Sequence, residues 1–147
     1  MPSRRRAREF ALQLLYQVDL RNTTPEDVLS TFWGDEEVDP VERKFAESEV
    51  KGVAQYLVEI DQRVESSSHN WKVARMSYID RNILRLGTYE LLYAFDIPRT
   101  VVINECIELG KRFSTQESGA FINGILDRIA QSLPPDQVKT PRRGSEG

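Results

Sequence analysis

The sequence predicts an all-α protein, and two observations support this prediction. Apolar residues recur at spacings of three and four in every long segment, as they do on one face of an α-helix. No run alternates between apolar and polar residues strictly enough for a β-strand. We therefore expect about seven helices, arranged as two small packed helical bundles.

The first helix is predicted between about residues 3 and 20, with Ser3 as its N-terminal cap. It carries two apolar lines on roughly opposite sides. The first consists of Ala7, Phe10, Ala11, Leu14, Leu15 and Val18, and the second of Leu12, Tyr16 and Leu20. A helix with two apolar sides needs neighbours on both, so we expect it at the centre of a bundle. The second line could instead contact another copy of the chain in a homodimer.

Four arginines, Arg4, Arg5, Arg6 and Arg8, occupy the first two turns of this helix, where positive charge opposes the helix dipole. Helix stability therefore does not explain them. Residues 1 to 8 contain no acid, while the rest of the chain carries 16 basic against 23 acidic residues, a balance of −7. Such a cluster predicts a phosphate-bearing partner, RNA or DNA, although short terminal charge runs are often simply solvated.

Two further helix starts follow, each with a capping residue ahead of a proline. Thr24 and Pro25 begin a short helix that reaches about residue 32. Asp39 and Pro40 begin a long helix whose apolar residues continue through about residue 64. The acidic segment between them is predicted to be a loop, and Trp33 is expected to fold back over the core.

A small polar segment at residues 66 to 70 interrupts the pattern and predicts a boundary between two subdomains of one domain, about 1–68 and 69–133. Capping boxes at residues 77–80 and 114–117 open the first and last helices of the second half. The helix from residue 77 should reach about Phe95, and another runs from about residue 100 to 113. The tail, residues 134–147, is predicted to be disordered.

The sequence gives no support to several classes of function. Cys106 is the only cysteine and lies within an apolar stripe, so we expect a buried, inert thiol. His69 is the only histidine and has no partners at catalytic or metal-binding spacing. There is no phosphate-binding glycine loop and no nucleophile elbow. We therefore expect no enzyme activity, no cofactor and no metal.

The location in the cell is predicted from the same sequence. No apolar run approaches the ~18 residues of a membrane span, and no signal-type apolar block follows the charged N-terminus. We expect a cytoplasmic protein without a membrane partner.

A basic and aromatic cluster lies at the turn between the last two predicted helices. It comprises Lys111, Arg112, Phe113, Phe121 and Asn123. Single-stranded RNA is commonly held by cations on its phosphates and by aromatic rings on its bases, at about 1 to 3 kcal/mol per stacked base. The alternative is that both phenylalanines close the core, which their spacing alone favours. Gly124 costs a helix about 1 kcal/mol relative to Ala, which suggests a close approach at that turn.

Four stretches of the chain form an ordered set: RRRAREFALQLLYQVDL, YIDRNILRLGTYELLY, PRTVVINECIELGKRFS and FINGILDRIA. In this order, over about residues 3 to 133, they resemble the NusB family of transcription antitermination and termination factors. The resemblance implies an all-helical, non-catalytic protein that binds single-stranded boxA RNA of ribosomal RNA operon leaders. It also implies a heterodimer with NusE, a ribosomal small-subunit protein, within an assembly of RNA polymerase and other Nus factors.

The resemblance also implies roles for individual residues. RNA contacts are implied for Arg4, Arg5, Arg6, Arg8, Phe113 and Phe121, with Lys111, Arg112 and Asn123 as their neighbours. NusE contacts are implied for Tyr16 and Asp80, although Asp80 also has a capping explanation. Glu117 matches an acidic position beside the RNA surface, and capping would explain it as well.

Two alternatives to antitermination remain open. The same RNA contacts could help precursor ribosomal RNA to fold and mature, and the sequence does not separate these roles. NusB-like domains also precede ribosomal RNA cytosine methyltransferases, but that activity needs a cofactor-binding α/β domain and a catalytic cysteine after a proline. Cys106 lies inside a helical stripe instead. The loop at residues 23 to 39 and the tail match nothing in the family and stay unassigned.

Overall fold

Helices follow one another along the chain with short connections between them. The structure, a computed structural model, describes residues 1–35 and 37–135. Within this part the helices are α1 (Arg4–Arg21), α2 (Pro25–Phe32), α3 (Pro40–Gln55), α4 (Leu57–Ser67), α5 (Tyr78–Tyr93), α6 (Arg99–Phe113) and α7 (Ser118–Gln131), with a 3-10 turn at Val73–Arg75. The described residues contain no strand, so the predicted all-α class is confirmed. Most of the predicted disordered tail lies outside the described residues.

Four predicted helix starts are confirmed by their capping hydrogen bonds. The side chains of Ser3, Thr24, Asp39 and Ser77 each accept a hydrogen bond from a backbone N–H two or three residues later, at 2.8 to 3.2 Å. These bonds satisfy N–H groups that the first turn of a helix leaves without partners. The starts of α1, α2, α3 and α5 are therefore encoded locally.

The prediction of one long helix from residue 40 to 64 was wrong, because the chain bends at Tyr56 between α3 and α4. Gly52 lies so close to the ring of Tyr89 that an added Cβ would be 2.2 Å from it. One turn later, the ring of Tyr56 stacks on Tyr93 with centroids 4.2 Å apart. Packing against two tyrosines of α5 thus redirects the chain, and α4 packs on α5 and α7. The predicted subdomain boundary at residue 68 stays a prediction.

The core contains most of the predicted apolar faces, but Leu20 at the end of α1 is 51% exposed, and the end of α5 also differs. That helix ends at Tyr93, two residues earlier than predicted, and Phe95 is 49% exposed. Ile97 is buried in its place, after the chain has turned towards α6. Trp33 is 4% exposed and covers the core as predicted. Helix α1 shares its predicted central position with α5, which contacts α1, α3, α4, α6 and α7.

Charged side chains hold α1 against α5 at two levels. Near one end, Arg8 donates two hydrogen bonds of 2.9 Å to the carboxylate of Glu90, and both side chains are buried. Near the other end, Asp19 accepts hydrogen bonds of 2.7 and 2.8 Å from Arg81 and one of 3.1 Å from Arg85. Residues early in α1 therefore pair with residues late in α5, and the two helices are antiparallel.

A third buried side chain completes the Arg8–Glu90 pair. The carboxyl of Glu49, on α3, is buried and hydrogen-bonded to Glu90. Burial, together with the hydrogen bond and the negative charge of Glu90, raises the pKa of Glu49 to about 11. Glu49 is therefore a neutral acid at pH 7. The cluster then contains one positive and one negative charge.

Breaking the buried pair should unfold the protein more easily. We expect Arg8→Met to lower the free energy of unfolding by about 3 to 5 kcal/mol, because it leaves the charge of Glu90 buried without its partner. Glu90→Gln should lower it by less, because Glu49 can then ionise near Arg8. Replacing both residues by Met should recover most of this loss. Urea denaturation measures both effects. Arg21→Ala, which removes an exposed cation, is the control and should cost at most about 1 kcal/mol. An equal cost for the control and the single variants would contradict a structural role for the pair.

The proton on Glu49 predicts a pH dependence of stability. The folded protein keeps this proton up to a pKa of about 11, whereas the unfolded chain releases it near 4.5, so stability falls as pH rises between these values. Glu49→Gln has no proton to lose. Its free energy of unfolding relative to wild type should increase from about pH 5 to 9, by at most about 1.4 kcal/mol per pH unit. Glu26→Gln, at an exposed position, is the control. A difference that stays constant across this range would show that Glu49 is ionised in the fold.

Candidate nucleic-acid interface

Three of the four N-terminal arginines are exposed, and their side chains point towards different parts of the protein. Arg5 forms a 2.9 Å ion pair with Glu105 on α6, while Arg6 lies 3.9 Å from Glu42 on α3. Arg4 lies 4.0 Å from Asp96, after α5. Successive residues of an α-helix point about 100° apart, so consecutive arginines face different neighbours. The structure therefore presents three separate cations, each near a carboxylate, at the start of α1.

Arg8 does not belong to this exposed set, which corrects the prediction that it contacts RNA. Only 3% of the residue is exposed, and its guanidinium is occupied by Glu90. The reason is helical geometry, since Arg8 lies four and seven residues before the buried Leu12 and Leu15. The sequence contains this spacing, but Arg8 was grouped with the neighbouring arginines because of its charge.

Arg5 is connected to the predicted basic and aromatic cluster by a row of side chains along α6. A shallow pocket beside it is lined by Arg5, Glu9, Glu105, Glu108, Leu109 and Arg112. The hydrogen bond from Arg5 lowers the pKa of Glu105, which is therefore ionised at neutral pH. Arg112 pairs with Glu9, and its guanidinium lies 5.3 Å from the ring centroid of Phe113. Cations and acids alternate from Arg5 to Phe113.

Phe113 lies at one end of an apolar groove between α1 and the start of α5. The groove has a volume of about 240 Å³ and is lined by Glu9, Leu12, Gln13, Tyr16, Gln17, Ile79 and Phe113. The Phe113 residue is 40% exposed, so it does not close the core. Tyr16 packs edge to face against Tyr78, with centroids 5.9 Å apart. The structure thus brings together a predicted RNA contact and a predicted NusE contact.

Phe121 lines a second pocket, on the other side of the first turn of α5. This pocket also has a volume of about 240 Å³, and its walls are Trp71, Arg75, Met76, Ser77, Asp80, Thr115, Glu117, Ser118 and Phe121. Phe121 is partly buried, and its ring packs edge to face against Trp71 with centroids 5.9 Å apart. Trp71 was missed by the sequence reasoning. The available signal was a tryptophan directly after a polar segment, outside any apolar stripe.

The predicted capping box at residues 114–117 was wrong. Helix α7 begins at Ser118, and Glu117 makes no capping hydrogen bond with its side chain. The Ser114 hydroxyl instead donates to Asp80 at 2.7 Å, and the Ser118 hydroxyl donates to Ser114 at 2.9 Å. This chain of hydrogen bonds ties the α6–α7 turn to α5. Capping therefore no longer explains Glu117.

The remaining residues of the predicted cluster are exposed. Lys111 lies 3.7 Å from Glu108, and Asn123 is exposed on α7. The expected close approach at Gly124 was wrong, because an added Cβ would lie 3.8 Å from Arg128, an ordinary contact. The close α6–α7 contact is at Gly110, where an added Cβ would lie 2.6 Å from Ile122.

Residues 1–35 and 37–135 lack the features of a metal site or a membrane span. This part of the chain contains no group of three or more His, Cys, Asp or Glu residues that could hold a metal ion. None of its helices is long and apolar enough to cross a membrane. Cys106 is buried, and burial raises the pKa of its thiol well above the usual value. His69 lies in a turn with φ of 55°.

Comparisons with known proteins agree on one family. The NusB family model matches residues 5–131. The transcription antitermination protein NusB of Myxococcus xanthus (strain DK1622) is 51% identical over 137 residues, which cover 90% of this chain and 98% of that protein.

Two solved structures share the fold. The NusB structure from T. maritima is 39% identical with a TM-score of 0.85 and covers 93% of this chain and 96% of its own. A structure of antitermination factors NusB and NusE in complex with dsRNA is 27% identical with a TM-score of 0.80, covering 88% of this chain and 97% of that one. The family model and a relative that is 51% identical both cover nearly all of the helices. The chain therefore belongs to the NusB family.

Proposed function

We propose that this protein is a transcription antitermination factor that binds boxA-type RNA of ribosomal RNA operon leaders together with NusE and modulates elongation by RNA polymerase with other Nus factors. The observation that carries the proposal is the solved structure of NusB and NusE in complex with dsRNA, one chain of which matches 88% of this chain. In this proposal the protein acts in the cytoplasm and without catalysis. The buried thiol of Cys106 supports the absence of a cysteine nucleophile.

The proposed RNA surface runs from the start of α1 to the α6–α7 turn. Arg4, Arg5 and Arg6 bind phosphates, and Arg112 and Lys111 extend the positive charge towards the rings. Phe113 and Phe121 stack on unpaired bases, at about 1 to 3 kcal/mol per base, and Asn123 offers an amide beside them. Arg8 contributes by fixing the position of α1.

Nearby acids limit how strongly this surface attracts RNA on its own. Each of Arg4, Arg5, Arg6 and Arg112 has a carboxylate within 4.0 Å, which a phosphate must displace. Glu117 adds negative charge beside Phe121. The protein outside residues 1 to 8 has a balance of −7, which disfavours non-specific binding to nucleic acid. Specific binding therefore depends on a second protein surface.

We assign the NusE contact to the groove that contains Tyr16. An apolar groove with a half-exposed phenylalanine and a tyrosine is typical of a protein interface. Asp80 lies next to Ile79, at the border of this groove and the second pocket. NusE placed here would lie beside Phe113, so protein and RNA could share one continuous surface.

The arginines predict a specific salt dependence. On single-stranded RNA each neutralised phosphate contributes about 0.7 to the log-log salt slope, so three arginines contribute about −2.1 and four would contribute about −2.8. We expect the triple variant Arg4→Gln, Arg5→Gln, Arg6→Gln to reduce the slope by about 2.1. Fluorescence anisotropy with a boxA RNA between about 50 and 200 mM salt measures it. The control variant Arg21→Gln, Arg43→Gln, Lys51→Gln removes three exposed cations elsewhere. Equal slopes for both triple variants would place the RNA on another surface.

A second prediction concerns NusE. Tyr16→Ala should weaken NusE binding at least about tenfold, since truncating a central aromatic residue of an interface commonly costs 2 kcal/mol or more. RNA binding by the protein alone should change less than about twofold. Titration calorimetry with NusE, and anisotropy with boxA RNA and a scrambled RNA, test both statements. Equal affinity for the two RNAs, with and without NusE, would remove the proposed function.

A further inference from the structure

We propose that the pocket between Trp71 and Phe121 is a binding site for one unpaired RNA base that carries an exocyclic amino group. Cytosine, adenine and guanine meet this description, and uracil does not. The inference rests on the proposed RNA-binding function and adds a base-selective subsite to it, with Trp71, Arg75 and Asp80 as its residues.

The shape of the pocket fits a single planar ring. The planes of Trp71 and Phe121 are inclined at 67°, so the two rings form a corner. The volume of about 240 Å³ lies below the range of about 300 to 1,000 Å³ typical for drug-sized ligands. A base that enters could stack on one ring and contact the edge of the other, which are the two favourable aromatic geometries.

Trp71 is held in place although it is 53% exposed. Its backbone N–H donates to the carbonyl of Ser68 at 3.2 Å, and its carbonyl accepts from the Ser68 hydroxyl at 2.9 Å. His69 and Asn70, between them, adopt the left-handed conformation with φ of 55° and 69°. The backbone that carries the indole is therefore fixed before binding, so its ordering adds no further cost. Trp33, by contrast, is buried and donates its indole N–H to Glu47 at 2.8 Å.

The carboxylates of the pocket favour a base with hydrogen-bond donors, and its arginine favours a phosphate at the edge of the pocket. Asp80 uses Oδ1 to accept from Ser114, and no hydrogen bond or ion pair among the described residues engages its Oδ2. A carboxylate oxygen accepts hydrogen bonds from amino groups such as N4 of cytosine, whereas O4 of uracil would face it as a second acceptor. Glu117, on the same wall, adds a second carboxylate.

Arg75 differs from the other cations of the proposed RNA surface. It lines the same pocket and is exposed, and within residues 1–35 and 37–135 no carboxylate lies within 4.0 Å of its guanidinium. Arg4, Arg5, Arg6 and Arg112 all have such acids. A phosphate at Arg75 therefore displaces only water and counterions. The nucleotide whose base occupies the pocket would supply that phosphate.

The test compares two fluorescein-labelled RNAs of twelve nucleotides, oligo(C) and oligo(U). Their bases differ at position 4, an amino group against a carbonyl, and at N3, an acceptor against an N–H donor. Anisotropy titrations with the full chain at about 50 mM salt should give at least about fivefold tighter binding of oligo(C). Trp71→Leu should reduce this ratio to near one while oligo(U) still binds. Trp71→Phe, which keeps a ring, should retain most of the ratio, and Phe95→Leu, which removes an exposed ring elsewhere, should leave it unchanged.

A second readout needs no variant. Saturating oligo(C) should quench the emission of the exposed Trp71 in the wild-type protein, while the buried Trp33 stays unaffected. Failure of both RNAs to bind would overturn this inference, whereas the proposed function is tested separately by binding of boxA RNA in the presence of NusE. Binding of both RNAs with equal affinity, an oligo(C) preference that survives Trp71→Leu, or an unquenched tryptophan emission would overturn the base site alone and leave RNA binding in place.

Discussion

The interaction on which the structure depends is the buried pair of Arg8 and Glu90, with the protonated Glu49 beside it. It fixes the antiparallel register of α1 and α5, because a bidentate pair tolerates no sliding of one helix along the other. In this register Arg5 faces α6, and Tyr16 lies beside Ile79. Eleven residues after Arg8, Asp19 forms a second set of ion pairs between α1 and α5, with two arginines of α5. The exposed residues of α1 thus owe their positions to charged side chains that are largely buried.

Helices with local start signals could be predicted from the sequence, and those shaped by distant contacts could not. Ser3, Thr24, Asp39 and Ser77 make capping hydrogen bonds within their own first turns. Ser114 has the same local signal, but its hydroxyl donates to Asp80, which is distant in the sequence. The bend at Tyr56 follows from tyrosines of α5 that local periodicity does not reveal. Local propensity is a weak guide wherever tertiary packing offers a competing partner.

The candidate site shows the same limit at the level of single side chains. Charge and aromatic composition indicated Arg5, Arg112 and Phe113, and the structure connects them along α6. Composition could not distinguish Arg8 from the arginines around it, because its partner lies 82 residues away. Trp71 belongs to no periodic stripe, so its pairing with Phe121 emerges only when residues 50 positions apart are brought together. Residue type predicted which side chains are candidates for RNA contact, and the fold shows which of these candidates are exposed.

The carboxylates beside the surface arginines act as tethered counterions. A chloride ion that leaves an arginine gains the entropy of dilution, but Glu105 or Glu42 remains attached to the chain after its arginine turns away. The free energy of exchanging such a carboxylate for a phosphate therefore contains a contribution that does not vary with ionic strength. A phosphate bound at these arginines would compete against an internal ligand of constant local concentration, which weak or short polyanions would fail to displace.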